Sequence, residues 1–433
     1  MASDILGVAD RLWNGELSTS TFHPVDHMGG FVEITDGVGF CPSFANVSSF
    51  ATEDGLVLVD TGSAPLAQIV HDDIRTWSPA RLNTAVYSHG HIDHVFGVPV
   101  WEQEAAAQGW AAPEVIAHHA LPARFDRYIF TAGYNTVINR RQFGFTDLSW
   151  PTEYRYPDRT YHDTLDLSVG GVPFALRHEK GETDDHTVTW QPDSRVLCCG
   201  DLFIWASPNA GNPQKVQRYP REWAHALRRM LELDAEFLLP GHGFPVIGAD
   251  RVRVALTDTA DLLDSLVDQT LAVMNAGGRL DDAIHSVRVP DRLASRPFLQ
   301  PVYDEPEFIV HTVWRLYGGW WDGNPATLQP APERALAVEL AELAGGAGAL
   351  ADRALELLAL AGDDSDNGAD GALRLAGHLA EQAWLAAPGD EGVQRARQQV
   401  FAARAARATS TMARGVFTWA ANESSATPHG HSH

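Results

Sequence analysis

Between residues 31 and 60 apolar and polar positions alternate with a period of two, as along strands that bury one face. Phe31-Val32-Glu33-Ile34 runs into a turn at Asp36-Gly37. Asn46–Thr52 and Leu56–Asp60 read as two further strands, joined by Glu53-Asp54-Gly55 and closed by Asp60-Thr61-Gly62. The pattern then predicts a helix over Ala64–Thr76, a strand over Thr84–Tyr87, a helix from Gly97 to Gln108 and a strand over Glu114–Ala117. Strands alternating with helices point to an α/β sandwich. Farther along, Leu256, Leu262, Leu263, Leu266, Leu271 and Val273 recur at helical steps, predicting a helix to Asn275. Residues 331–410 are rich in Ala and Leu at three- and four-residue steps, so the chain should end all-α.

Composition adds limits. At 433 residues the chain has room for two or three domains, and 45% hydrophobic with 20% charged residues is ordinary globular usage. A net charge of -24 argues against nucleic acid or an anionic membrane as the main partner. It leaves an anionic substrate open, because a pair of metal ions creates local positive charge. Cys41, Cys198 and Cys199 are too few and too odd in number for a disulfide framework. Met1–Glu16 lacks a basic stretch followed by an apolar core, and no apolar run approaches a membrane span. The expected location is the cytoplasm.

The densest chemistry lies in Ser88-His89-Gly90-His91-Ile92-Asp93-His94, where a strand gives way to a loop. Residues two apart in extended chain point the same way, so His89 and His91 can share one metal ion. Asp93 and His94 can face a second. Imidazole and carboxylate ligands suit zinc, and iron or manganese also fit.

Asp60-Thr61-Gly62 followed by His89-Gly90-His91-Ile92-Asp93-His94 resembles the metallo-β-lactamase-fold hydrolases. The resemblance implies an αββα sandwich with a dinuclear site at one edge. The family's third ligand comes from a segment of the form G-H-T-x-x-H-T. This chain has Gly181-Glu182-Thr183-Asp184-Asp185-His186-Thr187, which offers Glu182, preferred because it aligns without a shift, or His186. Val196-Leu197-Cys198-Cys199-Gly200-Asp201 supplies the bridging carboxylate, Asp201. Phe237-Leu238-Leu239-Pro240-Gly241-His242-Gly243 supplies the last histidine, His242. The implied set is His89, His91 and Glu182 on one Zn2+, Asp93, His94 and His242 on the other, and Asp201 between them. Such a pair lowers the pKa of a shared water toward neutrality.

Trp314-Arg315-Leu316-Tyr317-Gly318-Gly319-Trp320-Trp321-Asp322-Gly323-Asn324-Pro325 resembles the alkylsulfatases at the start of their helical dimerisation domain. A glutamate at the position of Glu182 agrees with that branch. Ala372–Arg404 resembles a tetratricopeptide-like hairpin, and the branch implies a homodimer. Leu121–Gly144, rich in aromatic and basic residues, is an insertion that reads as a pocket wall or as an amphipathic helix with a solvated face. Asn135 and Arg141 from it, and Lys215 and Arg218 from the loop after Asp201, are the candidate substrate-binding residues. The branch's general-acid histidine aligns with Phe308; His311, one turn on, is the nearest candidate, with Asp93 the other catalytic residue. A signal peptide and the further C-terminal domain typical of alkylsulfatases are not evident.

The expected domains are a catalytic sandwich over 1–250, a helical connector over 251–300, a helical dimerisation domain over 301–420 and a disordered tail over 421–433. The expected activity is hydrolysis of an anionic ester, foremost an alkyl sulfate, by metal-activated hydroxide. The rivals are a hydrolase of the same fold acting on a lactone, thioester, phosphate ester or β-lactam, and a non-catalytic scaffold.

Overall fold

The computed structural model describes residues 4–26, 29–362 and 367–425. After α1 (Ile5–Trp13), the strands β1 (Val32–Thr35), β2 (Val38–Cys41), β3 (Val47–Thr52) and β4 (Gly55–Val59) pair antiparallel in order. Next come α2 (Ala67–Trp77), β5 (Leu82–Val86), α3 (Val98–Gln108) and β6 (Glu114–His118). The expected insertion forms two helices, α4 (Leu121–Phe130) and α5 (Ala132–Phe143), before β7 (Arg159–Tyr161). β4, β5, β6 and β7 pair in parallel and complete a seven-stranded sheet.

The second sheet holds β8 (Thr164–Val169), β9 (Val172–Glu179), β10 (His186–Gln191) and β11 (Val196–Gly200), then, after α6 (Pro220–Leu231), β12 (Phe237–Pro240) and β13 (Val246–Ile247). Its order is β13-β12-β11-β10-β9-β8, antiparallel except for the β11/β12 pair. α7 (Ala249–Asn275), α8 (Leu280–Ser286), α9 (Asp291–Ala294) and α10 (Pro306–Gly318) follow. α7 begins seven residues before the expected Leu256, because Val252 and Ala255 extend its buried face while Arg253 pairs with Asp250 outside.

Alternation along the strands sorts side chains between layers. In β4, Val57 and Val59 face the second sheet, where Phe174, Leu176, Cys198 and Leu239 meet them. Leu56 and Leu58 face the opposite way, onto α2, α3 and α4 through Val70, Ile74, Trp101 and Phe125. In β11, Cys198 points between the sheets, whereas Leu197 and Cys199 point to α1, α6, α7 and α10. Helix, sheet, sheet, helix is the αββα sandwich.

The chain divides into two compact units, Met1–Ala132 with Trp150–Trp320, and Gly133–Ser149 with Trp321–His433. The second unit contains most of α5 and α11 (Pro325–Leu328), α12 (Glu333–Ala344), α13 (Ala347–Gly362), α14 (Asn367–Ala386), α15 (Glu391–Arg407) and α16 (Thr411–Ser425). Small residues let α13, α14 and α15 pack closely, with Ala354, Ala376, Ala380 and Val400 in one cluster. Gly415 lies against the backbone of Arg141 and Gln142, so α5 belongs with α16. α14 begins at Asn367, and α16 runs into the segment expected to be a tail. His429, His431 and His433 lie outside the described residues. Among the described residues no helix is long and apolar enough to cross a membrane, and the three cysteines are buried and unbridged.

Candidate metal centre

Parallel pairing of β4 with β5 sets Val59 beside Val86, so Asp60 arrives next to the loop that leaves β5. Asp60 adopts a left-handed φ of 61°, and its carboxylate is buried at the start of that loop. It accepts the Ser88 N–H at 2.7 Å, the Ser88 hydroxyl at 2.8 Å and the His94 Nδ1–H at 2.7 Å. Ser88 Oγ in turn accepts from His89 Nδ1 at 2.9 Å. With Nδ1 of both rings so engaged, His89 and His94 turn unprotonated Nε2 atoms inward. His242 follows the same rule: its Nδ1–H donates to the Phe44 carbonyl, freeing Nε2.

The second sheet brings the other ligands. Parallel pairing places Gly200 beside Pro240, so Asp201 and His242 leave neighbouring strand ends together. The approach is close enough that a Cβ on Gly241 would lie 2.3 Å from Asp201 Oδ1. Asn46 fixes the His242 turn by donating to the Pro240 and Gly243 carbonyls, both at 3.0 Å. Asp185 ties the Glu182 loop to the metal loop, accepting the Gly90 N–H at 3.0 Å and Arg124 Nε at 2.8 Å.

Seven side chains converge in two groups, His89, His91, Glu182 and Asp201, and Asp93, His94 and His242, with the ligand atoms of each group within 4.8 Å of one another. Asp201 reaches both groups. Its Oδ2 lies 3.7 Å from His89 Nε2 and 3.3 Å from His242 Nε2, and its Oδ1 lies 3.4 Å from His94 Nε2. His242 Nε2 is also 3.4 Å from Asp93 Oδ2. His94 Nε2, Glu182 Oε2 and Asp201 Oδ1 are buried without a hydrogen-bond partner. Buried lone pairs left unpaired are costly, and a divalent cation is the group that satisfies them together. The donor set of imidazole nitrogens and carboxylates therefore fits two divalent ions. Burial pushes the Glu182 carboxyl up to about 8, against the pull of Arg218.

His186, the alternative third ligand, lies outside both groups. Its Nε2 donates to the Cys199 carbonyl at 3.0 Å and its ring stacks 4.9 Å from that of His89. Arg218 is buried and donates to Glu182 Oε1 at 3.2 Å. Lys215 lies 5.5 Å from the Trp150 ring centroid, and Trp150 packs on Tyr128, whose ring is 6.5 Å from that of His91. Burial, then the Arg218 charge, push the Lys215 ammonium down to about 7, while Asp93 and Glu182 pull it back. His311 is exposed on α10, where its charged neighbour is Glu307. Asn135 and Arg141 fall in the second unit, Asn135 buried and Arg141 over the Trp419 ring at 5.7 Å.

Residues 42–242 match the model of the metallo-beta-lactamase superfamily, and residues 279–426 match that of alkyl sulfatase dimerisation. The chain carries a metallo-β-lactamase domain followed by an alkylsulfatase dimerisation domain, and it is homologous to Pseudomonas alkylsulfatases. It is 27% identical over 315 residues to a linear primary-alkylsulfatase of a Pseudomonas species, covering 68% of this chain and 59% of that one. It is 27% identical over 332 residues to an (R)-specific secondary-alkylsulfatase, also of a Pseudomonas species, covering 71% of this chain and 50% of that one. The metallo-β-lactamase fold is shared with the solved structure of a stereoselective inverting sec-alkylsulfatase from Pseudomonas, at a TM-score of 0.82 and 22% identity over 93% of this chain and 66% of that one. The chain thus spans about half to three-fifths of the length of these two curated relatives.

Sequence reasoning on this metallo-β-lactamase-fold chain named the clustered side chains but missed those that aim them. Asp60 entered only as a landmark, and Asn46, Asp185 and Asn209 had no role. An acid in the tight turn that ends β4, 28 residues before Ser88, was a usable signal for Asp60. The others act across 27 to 197 residues of sequence and leave no local pattern.

Proposed function

We propose that the chain hydrolyses alkyl sulfate esters at a dinuclear zinc centre, with His89, His91 and Glu182 on one ion, Asp93, His94 and His242 on the other and Asp201 bridging. The convergence of those seven side chains, three with buried unpaired atoms, carries the reading. The activity named for the relatives supports sulfate esters over the lactone, thioester, phosphate ester and β-lactam alternatives. The ions would supply Lewis acidity and a water made nucleophilic near neutral pH.

The chain's own residues do the rest. Asp93 faces His242 and His94 and sets the polar side of the pocket. Lys215, whose charge is felt by both Asp93 and Glu182, holds the sulfate head by a charge-assisted bond. Tyr128 and Trp150 give the alkyl chain an apolar wall beside His91. Arg218 favours the anionic form of Glu182 and orients it, a role its bond to Oε1 supports over direct substrate contact. The exposed position of His311 supports a surface role for it. Water enters, an alcohol and sulfate leave, and one proton is released.

We also infer a homodimer through the C-terminal helices. Leu336, Leu340 and Leu343 of α12 are exposed apolar side chains, which support a partner surface there.

The test is a panel given to the zinc-loaded protein: primary and secondary alkyl sulfates, a lactone, a thioester, a phosphate diester and a cephalosporin. Sulfate release that vanishes in Asp93→Ala supports the proposal. Turnover of another panel member alone refutes the substrate class and keeps the metal chemistry.

A further inference from the structure

The loop from Ile204 to Arg218 carries two side chains that grip Glu182: Asn209 Nδ2 and Arg218 both donate to Oε1. Their hold on Oε1 leaves Oε2 unpartnered and turned to the ligand group. Apart from its Cys199 and Gly200 root, this loop has little regular structure of its own, so something else must fix it.

The segment 300–312 does so at four points. The Ser207 N–H donates to the Gln300 carbonyl at 2.9 Å. Ile204 and Ala206 pack on Val302. Asp304 Oδ2 accepts the Gly211 N–H at 2.6 Å, while its Oδ1 accepts the Glu305 N–H at 2.8 Å at the start of α10. Gln217 Nε2 donates to the Thr312 carbonyl at 3.2 Å. Asp304 is fully buried, and Gly211 sits so close to α10 that a Cβ there would lie 2.3 Å from Ile309 N. Gly211 is two residues from Asn209.

We propose that Asp304 is a positioning residue for the metal centre, acting through Gly211 and Asn209 on Glu182. The proposal rests on Glu182 being a metal ligand. It gives the stretch just before the Trp314–Pro325 motif a task at the active site. A buried carboxylate that serves only packing is unfavourable, and burial pushes this one up to about 8. Its two backbone bonds join the start of α10 to the loop and offset that cost.

The experiment measures the two zinc affinities by chelator competition in wild type, Asp304→Ala, Asp304→Asn and Gly211→Ala, with far-ultraviolet circular dichroism as the check on folding. Groups that orient a metal ligand are worth roughly 10- to 100-fold in metal affinity. One zinc should weaken about tenfold or more in Asp304→Ala and Gly211→Ala while the other holds. Asp304→Asn, which retains one carbonyl acceptor, should fall between and carries the test if the alanine variant does not fold. Unchanged affinities in these variants, or equal weakening of both ions at an unchanged helical signal, would overturn the proposal. Glu182→Ala separates the two levels: if it leaves both affinities intact, the ligand reading itself fails.

Discussion

Asp60 Oδ2 and His94 Nδ1 lie 2.7 Å apart in the floor of the site, and the same carboxylate reaches His89 through Ser88. One buried acid therefore sets the tautomer of a histidine in each ligand group. Asp60→Ala would strand the Ser88 N–H, the Ser88 hydroxyl and the His94 Nδ1–H, each worth roughly 1–3 kcal/mol when buried and unmet. Both zinc affinities should fall about 10- to 100-fold, in contrast to the one-sided effect expected at Asp304. Metal content after dialysis against a weak chelator reads the difference.

On the proposed function, Lys215 should give the activity a basic limb. Burial lowers its ammonium to about 7, so the charge is present below that pH and is lost as pH rises through it. KM for an anionic sulfate ester should rise above pH 7, with kcat less affected. Lys215→Arg keeps its charge throughout and should flatten the limb. A KM profile that climbs equally in both proteins would remove Lys215 from substrate binding.

How much of this was legible depends on distance along the chain. The histidine loop, Glu182, Asp201 and His242 each sit in a short segment at the end of a strand, and such segments announce themselves. Between 31 and 60, β1, β3 and β4 were legible, the last as an apolar run whose Leu56 and Leu58 face one layer and Val57 and Val59 the other, whereas β2, buried along its whole length, was not named. β8 to β10 were not read in advance: β9 includes Pro173 and is only half-buried along much of its length, so its pattern is weak. The place of α5 was hidden for another reason. Its packing partner is Gly415 in α16, and no periodicity within 121–144 points there.

A column of histidines near the centre makes stability pH-dependent. His118 is buried against His178 at 3.7 Å between ring centroids, and its Nε2 meets His119 Nδ1 at 2.9 Å. His162 packs at a tilt against His119, with ring centroids 3.9 Å apart, and Asp185 is the acid that pulls the other way. Burial, then His178 and His119, lower His118 to about 4 from 6.5. The unfolded chain thus binds a proton that the folded chain refuses between those values. The contribution is fully present above pH 6.5 and is lost as pH falls toward 4. Denaturant midpoints should drop across that window, and His118→Gln should make the drop shallower.

The inter-sheet core offers a plain test of the sandwich. Phe50 is buried from β3 and meets Phe174 of β9 edge-on, with centroids 5.2 Å apart. Phe50→Ala should cost about 3–5 kcal/mol in urea unfolding, the range for a large buried aromatic. A loss below about 1 kcal/mol would mean the two sheets do not pack through this contact.

The most direct test of the central claim is sulfate release from a medium-chain alkyl sulfate by metal-free protein titrated with zinc. The account predicts no release without metal, a rise on addition, a plateau at about two equivalents per chain, and none at any ratio in Asp93→Ala. Full activity in the metal-free protein, or no sulfate at any zinc ratio, would contradict it.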